Sequence, residues 1–245
     1  ISRVLREFID KKTQIDSKIL FEKIPFISPV KIVELLREPY YWKLYSADNE
    51  NRKADLWKIF EEYNSLFQNQ NGSEIHSKIL NSALFSMKEN EEWRFLNFFK
   101  NWNSENLKTD DWKETKKDER TYKPLATKAL KKAFEVLKAQ PSEQDLSWLI
   151  KPYETAIKLF PDEEFLLREK ALLHIKNNEF EFAIKIYKQL VLGLANKYYV
   201  WQEFSDCIIS DNSLKIGMLS KALSLEKNED FLGDIHLGLA KVLIE

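Results

Sequence analysis

Large and small residues return at a fixed interval in the C-terminal half of the chain, and that interval constrains the fold more than any other feature. In the stretch EFLLREKALLHIKNNEFEFAIKIYKQLV, residues 164 to 191, Leu167 and Ala171 precede a polar break, and Phe180, Ala183 and Tyr187 follow it. Thirty-four residues beyond the first pair stand Trp201 and Ser205, again a large residue four positions before a small one. A period of this length marks a helical repeat whose helix-turn-helix units bury their apolar faces only against neighbours. Small residues such as Ala171 and Ala183 let two helices approach closely, while large residues fill the space on either side.

The phase extends in both directions. Upstream, Tyr153, Ala156 and Pro161 fit the second helix and closing proline of a preceding unit, although Pro152 predicts that this helix begins late and is short. Downstream, SDNSLKIGMLSKALSLEKNED stays in register only if the turn loses about two residues and Ala222 takes the last small position. LGLA then opens a further unit at Leu237 and Gly238. The chain begins without a methionine and closes on LGLAKVLIE, the first helix of an unfinished pair, so a longer parent protein is expected.

These residues resemble the tetratricopeptide repeat (TPR) family over residues 125 to 245. The resemblance implies antiparallel helix pairs stacked into a right-handed superhelix, here an irregular one, with a concave surface lined by first helices. One subset of that family captures a C-terminal carboxylate with Lys and Asn at the fifth and ninth positions of first helices. Here those positions hold Arg168 and Leu172, then Gln202 and Asp206, so such a clamp is not expected.

The N-terminal half reads as a separate, aromatic-rich helical domain, residues 1–102. Helices are expected over 1 to 12 and over 30 to 38, the second capped by Ser28, started by Pro29 and ended by Pro39. Leu56, Phe60, Tyr63 and Phe67 recur at spacings of four, three and four, so they share one helical face opposite Asp55, Lys58, Glu61 and Glu62. Ser73 introduces another helix. In EEWRFLNFFKNW, Trp93, Phe95, Leu96, Phe98, Phe99 and Trp102 cover too much of the circumference for a surface helix. Residues 103–121 are polar and aperiodic and read as a linker, which leaves 122–245 for the repeats.

With only five glycines and seven prolines, turn-rich all-β architectures are unfavourable and the expected fold class is all-α. Lys and Arg number 38 against 39 Asp and Glu, so no global field draws the chain to nucleic acid or to an anionic membrane. No apolar run reaches the roughly 20 residues of a membrane span, and ISRVLREFIDKK lacks a signal peptide's apolar core. A lone Cys207 excludes an internal disulfide framework and fits a reducing compartment, which makes the cytoplasm the expected location.

Signals for catalysis are weak. Gly72, Gly193, Gly217, Gly233 and Gly238 match no phosphate-binding loop, and His76, His174, His236 and Cys207 are too scattered in sequence for a metal-ligand motif. Glu91, Glu92, Asp162, Glu163 and Glu164 fall at helix starts, where the macrodipole favours negative charge. No catalytic residue, metal or cofactor is expected. Asp110 and Asp111 beside Trp112 have no such explanation.

Two candidate surfaces remain. The concave face of the repeats would include Phe165, Arg168, Leu172 and Ile175 from one unit, with Tyr199, Gln202, Asp206 and Ile209 from the next, suited to a protein or peptide. In KKDERTYKPLATKALKK, residues Lys116, Lys117, Arg120, Lys123, Lys128, Lys131 and Lys132 make a local basic patch beside Tyr122 that could contact nucleic acid. FLNFFKNWNSENLKTDDWKE followed by YKPLATKALKKA also resembles helical proteins of bacterial TOTE-type conflict systems, which implies a nucleic-acid-associated accessory role in defence. The first expectation is a non-catalytic scaffold; the alternative is that accessory role.

Overall fold

The computed structural model describes residues 29–49, 53–67, 72–86, 92–117, 119–139 and 146–244. The expected helix over 1 to 12 lies outside them. Eleven α-helices hold most of the described residues, and the strands among them are two of three residues each, so the chain is all-α. It divides into two compact units, 1–142 and 143–245.

In the first unit, α1 is Pro29–Asn49, α2 Lys53–Phe67, α3 Glu74–Ser86, α4 Glu92–Trp102 and α5 Leu125–Ala139. Helix α1 does not stop at Pro39, as the sequence predicts, but runs through it. A proline inside a helix costs about 3 kcal/mol. Leu36, Tyr40, Leu44 and Ala47, at helical spacing on both sides of Pro39, are all buried, and each large apolar side chain regains about 1.5 to 3 kcal/mol. Tyr40 also donates to Glu62 Oε1 at 3.0 Å, which ties α1 to α2.

The face of α2 follows its periodicity: Leu56, Phe60, Tyr63 and Phe67 are buried and Lys58 and Glu61 are exposed. Ser73 accepts from the His76 amide at 3.1 Å and so caps α3. Phe95, Leu96, Phe98, Phe99 and Trp102 make α4 central, but Trp93 is 44% exposed. An eleven-residue helix packed on α2, α3 and α5 keeps one open strip, and Trp93 lies on it.

Residues 103–121 are not a linker here. Two 3₁₀ turns, Ser104–Asn106 and Thr109–Trp112, precede a hairpin of β1 Thr115–Lys117 and β2 Arg120–Tyr122. The turns are tied into the unit: Ser77 Oγ and the Lys108 amide both donate to Asp111 Oδ2 at 2.8 Å, and Asn106 Nδ2 donates to the Trp102 carbonyl at 3.2 Å. This explains the acidic pair, since Asp111 is a buried acceptor and Asp110 pairs with Lys113 at 2.7 Å. A Cβ on Gly72 would lie 2.1 Å from the Asn106 carbonyl oxygen, so this loop fits against the start of α3 only because residue 72 is glycine. Helix α5 lays Ala126, Ala129, Leu130 and Ala133 against α3 and α4, which places residues 122–139 in the first unit and the division after Ser142.

The second unit contains α6 Ser147–Leu159, α7 Glu164–Lys176, α8 Phe180–Leu194, α9 Tyr198–Ser205, α10 Asn212–Leu225 and α11 Glu229–Ile244. Each packs on the next across a short turn, the arrangement of stacked antiparallel helix pairs. Pro152 again lies inside its helix, not at its start; Leu149, Tyr153 and Ala156 are fully buried around it. The first helices α7 and α9 start 34 residues apart and the second helices α8 and α10 start 32 apart, so the second unit is a helical repeat of antiparallel pairs whose turn shortens by two residues. Ala171, Ala183, Ser205 and Ala222, the small positions, are all fully buried. In the α7–α8 turn Asn178 takes φ 60°, a conformation its short polar side chain tolerates, and the Glu179 amide returns to the His174 carbonyl at 2.8 Å.

Ala183→Leu tests that phase. Three extra heavy atoms at a fully buried contact between α7 and α8 are expected to cost about 1 to 3 kcal/mol, read from the shift in urea midpoint. An unchanged midpoint would contradict the helix pairing.

Candidate functional site

Helices α7 and α9 are the first helices of successive pairs, and one arginine joins them. Arg168 Nε donates to Glu203 Oε2 at 2.7 Å and its Nη2 donates to Oε1 of the same carboxylate, a bidentate pair. The guanidinium lies over the Tyr199 ring, 4.3 Å from its centroid. Tyr187 of α8 donates to Glu203 Oε2 at 3.2 Å, so one carboxylate holds three helices. Burial acts against the charge on Arg168, but Glu203 outweighs it and the pKa is raised above its ordinary value. Burial first, and then the Glu203 charge, raise the Tyr187 phenol, so it stays a donor.

Around this pair the expected concave-face residues take up positions on two helices. Phe165 and Leu172 on α7 and Tyr199 and Gln202 on α9 are half-buried, Asp206 at the end of α9 is exposed, and Ile209 follows, exposed, in the turn. Ile175 is partly buried and packs on the core of the pair. Arg168 is occupied by Glu203, so it is not a free cation for an acidic tail. Glu203 and Tyr187 were not among the expected site residues. The signal was present: Glu203 follows Arg168 by 35 residues, one period plus one position.

The basic residues all belong to the first unit. Lys116 and Arg120 are exposed on the hairpin, Lys117 lies on β1 opposite Arg120, and Lys123 is exposed just after it. On α5, Lys131 is exposed, Lys128 is half-buried, and Lys132 reaches Glu135 at 3.6 Å.

The residues that could do chemistry are held otherwise. Cys207 is buried, with its thiol pushed up to about 12 by burial and then by Asp206 and Glu203, so it is a poor nucleophile. His76 is enclosed between Tyr63, which is 2.5 Å from Nδ1, and the Trp102 ring, stacked at 4.1 Å. Burial, and then the charge of Arg37, hold it down to about 3, so it is neutral. His174 is bound to Glu179 at 2.6 Å. No three His, Cys, Asp or Glu side chains cluster as a metal site among the described residues. A groove of about 280 Å³ between α2 and α4, lined by Trp57, Asn64, Trp93 and Asn97, contains neither histidine nor cysteine. No helix among the described residues is long and apolar enough to cross a membrane.

A domain family of unknown function, DUF7017, matches residues 164–245, the span from α7 to α11. No curated protein matches the chain. Among solved structures, the chain is similar to a tetratricopeptide repeat protein from Parabacteroides merdae, at 12% identity and TM-score 0.35, over 98% of this chain and 96% of that one. It is likewise similar to the TPR domain of P58(IPK), at 13% identity and TM-score 0.35, over 99% of this chain and 73% of that one.

Proposed function

We propose that this chain is a non-catalytic scaffold whose α7/α9 face, the concave surface of the repeats, holds a partner protein or peptide. One observation supports it most directly: Arg168 spans from α7 to Tyr199 and Glu203 of α9, so the side chains of two first helices meet in one surface. That surface offers apolar area at Phe165 and Leu172 and orienting polar groups at Gln202 and Asp206, none of them fully buried. Extended peptides and partner helices bind such mixed faces of stacked helices. The buried free thiol of Cys207 suits a reducing compartment, and we place the protein in the cytoplasm.

The test is affinity capture from a lysate of the encoding organism with three baits: the chain itself, a Gln202→Arg/Asp206→Arg double variant, and Leu192→Ser. Leu192 is 86% exposed on α8, away from the α9 positions in sequence, and serves as the control. A protein held by the chain and by the control, but reduced at least about tenfold with the double variant, is the expected result; tenfold corresponds to about 1.4 kcal/mol. Equal capture by all three baits would overturn the assignment.

A further inference from the structure

We propose that the β1–β2 hairpin and the first two turns of α5 form a contact surface for the phosphate backbone of nucleic acid. Charge is segregated here. Residues 113 to 132 carry eight Lys or Arg against Glu114, Asp118 and Glu119, a net +5, which leaves −6 on the rest of a chain whose total is −1.

The hairpin makes little sense as packing. Its strands have three residues each, and Thr115, Lys116, Arg120, Thr121 and Tyr122 are all exposed. Two isolated strands are marginal in water without a buried face. A local rule broken without a packing gain is where a functional contact is expected.

Some cations of this unit are neutralised, among them the two at the ends of the stretch 113 to 132: Lys78 by Glu74, Lys113 by Asp110, Lys132 by Glu135. Lys116, Arg120, Lys128 and Lys131 have no carboxylate partner among the described residues. Only Lys123 and Pro124 separate the hairpin from α5, so these cations form one continuous stretch. Duplex nucleic acid carries one negative charge per roughly 1.7 Å of axis and can meet several of them at once, which a single carboxylate cannot. Tyr122, 43% exposed beside them, offers a ring on which an unpaired base can stack. An anionic membrane fits less well, because an apolar face strengthens interfacial binding and, among the described hairpin residues, only Tyr122 supplies apolar area.

Fluorescence anisotropy of the full chain with labelled single-stranded and duplex oligonucleotides tests this, against Lys116→Glu/Arg120→Glu and Lys128→Glu/Lys131→Glu. A control, Lys58→Glu/Lys100→Glu, makes the same net-charge change at exposed sites on α2 and α4. Four phosphate contacts predict a loss of affinity on the order of 100-fold for duplex between about 50 and 200 mM salt. Each patch variant is expected to weaken binding at least about tenfold with unchanged melting, and the control to leave it within about twofold. No binding at low salt, equal loss in the control, or undiminished binding by both patch variants would each overturn the proposal. So would binding to vesicles of anionic lipid as tight as to either oligonucleotide.

Discussion

Trp102→Ala is expected to destabilise the first unit by about 3 to 5 kcal/mol, the largest effect of any single substitution considered. Trp102 is fully buried at the end of α4, and its ring stacks on His76 at an interplanar angle of 9°. Its Nε1 donates to the His76 carbonyl at 3.2 Å, and its own carbonyl lies 3.3 Å from His76 Nε2, which as the N–H donates to it. Truncation opens a cavity and removes a second donor from the His76 carbonyl, which keeps its bond within α3, so the transfer and cavity costs dominate the loss. The loss is read from the urea midpoint at constant slope. A loss below about 1 kcal/mol would contradict the central place given to α4.

The second large effect is a loss of stability on acidification, centred on His76. Burial, and then the charge of Arg37, hold its pKa near 3, against about 6.5 in an unfolded chain. Arg37 is itself buried, with Glu34 at 3.7 Å, so it remains a nearby positive charge. Between those two pKa values the unfolded state binds a proton that the folded state does not. Stability from this group is therefore fully present above about pH 6.5 and declines as pH falls toward 3, by about 1.4 kcal/mol per unit. Carboxylates also contribute to acid denaturation, so the measurement is a comparison. Between pH 6.5 and 4.5 the protein should lose about 2 to 3 kcal/mol more than His76→Gln, which cannot take up the proton. Parallel profiles would mean that His76 is not held neutral by the fold.

Where periodicity decides, the fold is legible from residues alone. The stripe of α2 and the small positions of the repeat lie where their spacing places them, because both follow from helical geometry and close packing. The prolines mislead because local propensity carries no information on burial: Pro39 and Pro152 stay inside helices whose apolar faces are buried on both sides of them. Residues 103–121 mislead in the opposite way. Their polarity suggests solvent, yet Asp111 is buried as an acceptor and Gly72 makes room for Asn106, contacts that no periodicity signals. The candidate surface is half legible: Phe165, Arg168 and Gln202 follow from the repeat phase, but the pairing of Arg168 with Glu203 depends on the stacking of α9 against its neighbours.

The scaffold reading is tested most directly by placing a photoreactive amino acid at Gln202 and, separately, at Leu192, then irradiating cells of the encoding organism. Position 202 lies on the first helix of its pair and 192 on the second helix of the pair before it. A discrete protein adduct at 202 and none at 192 is the expected result. An adduct at 192 alone, or at neither position, would contradict the α7/α9 face as the place where a partner is held.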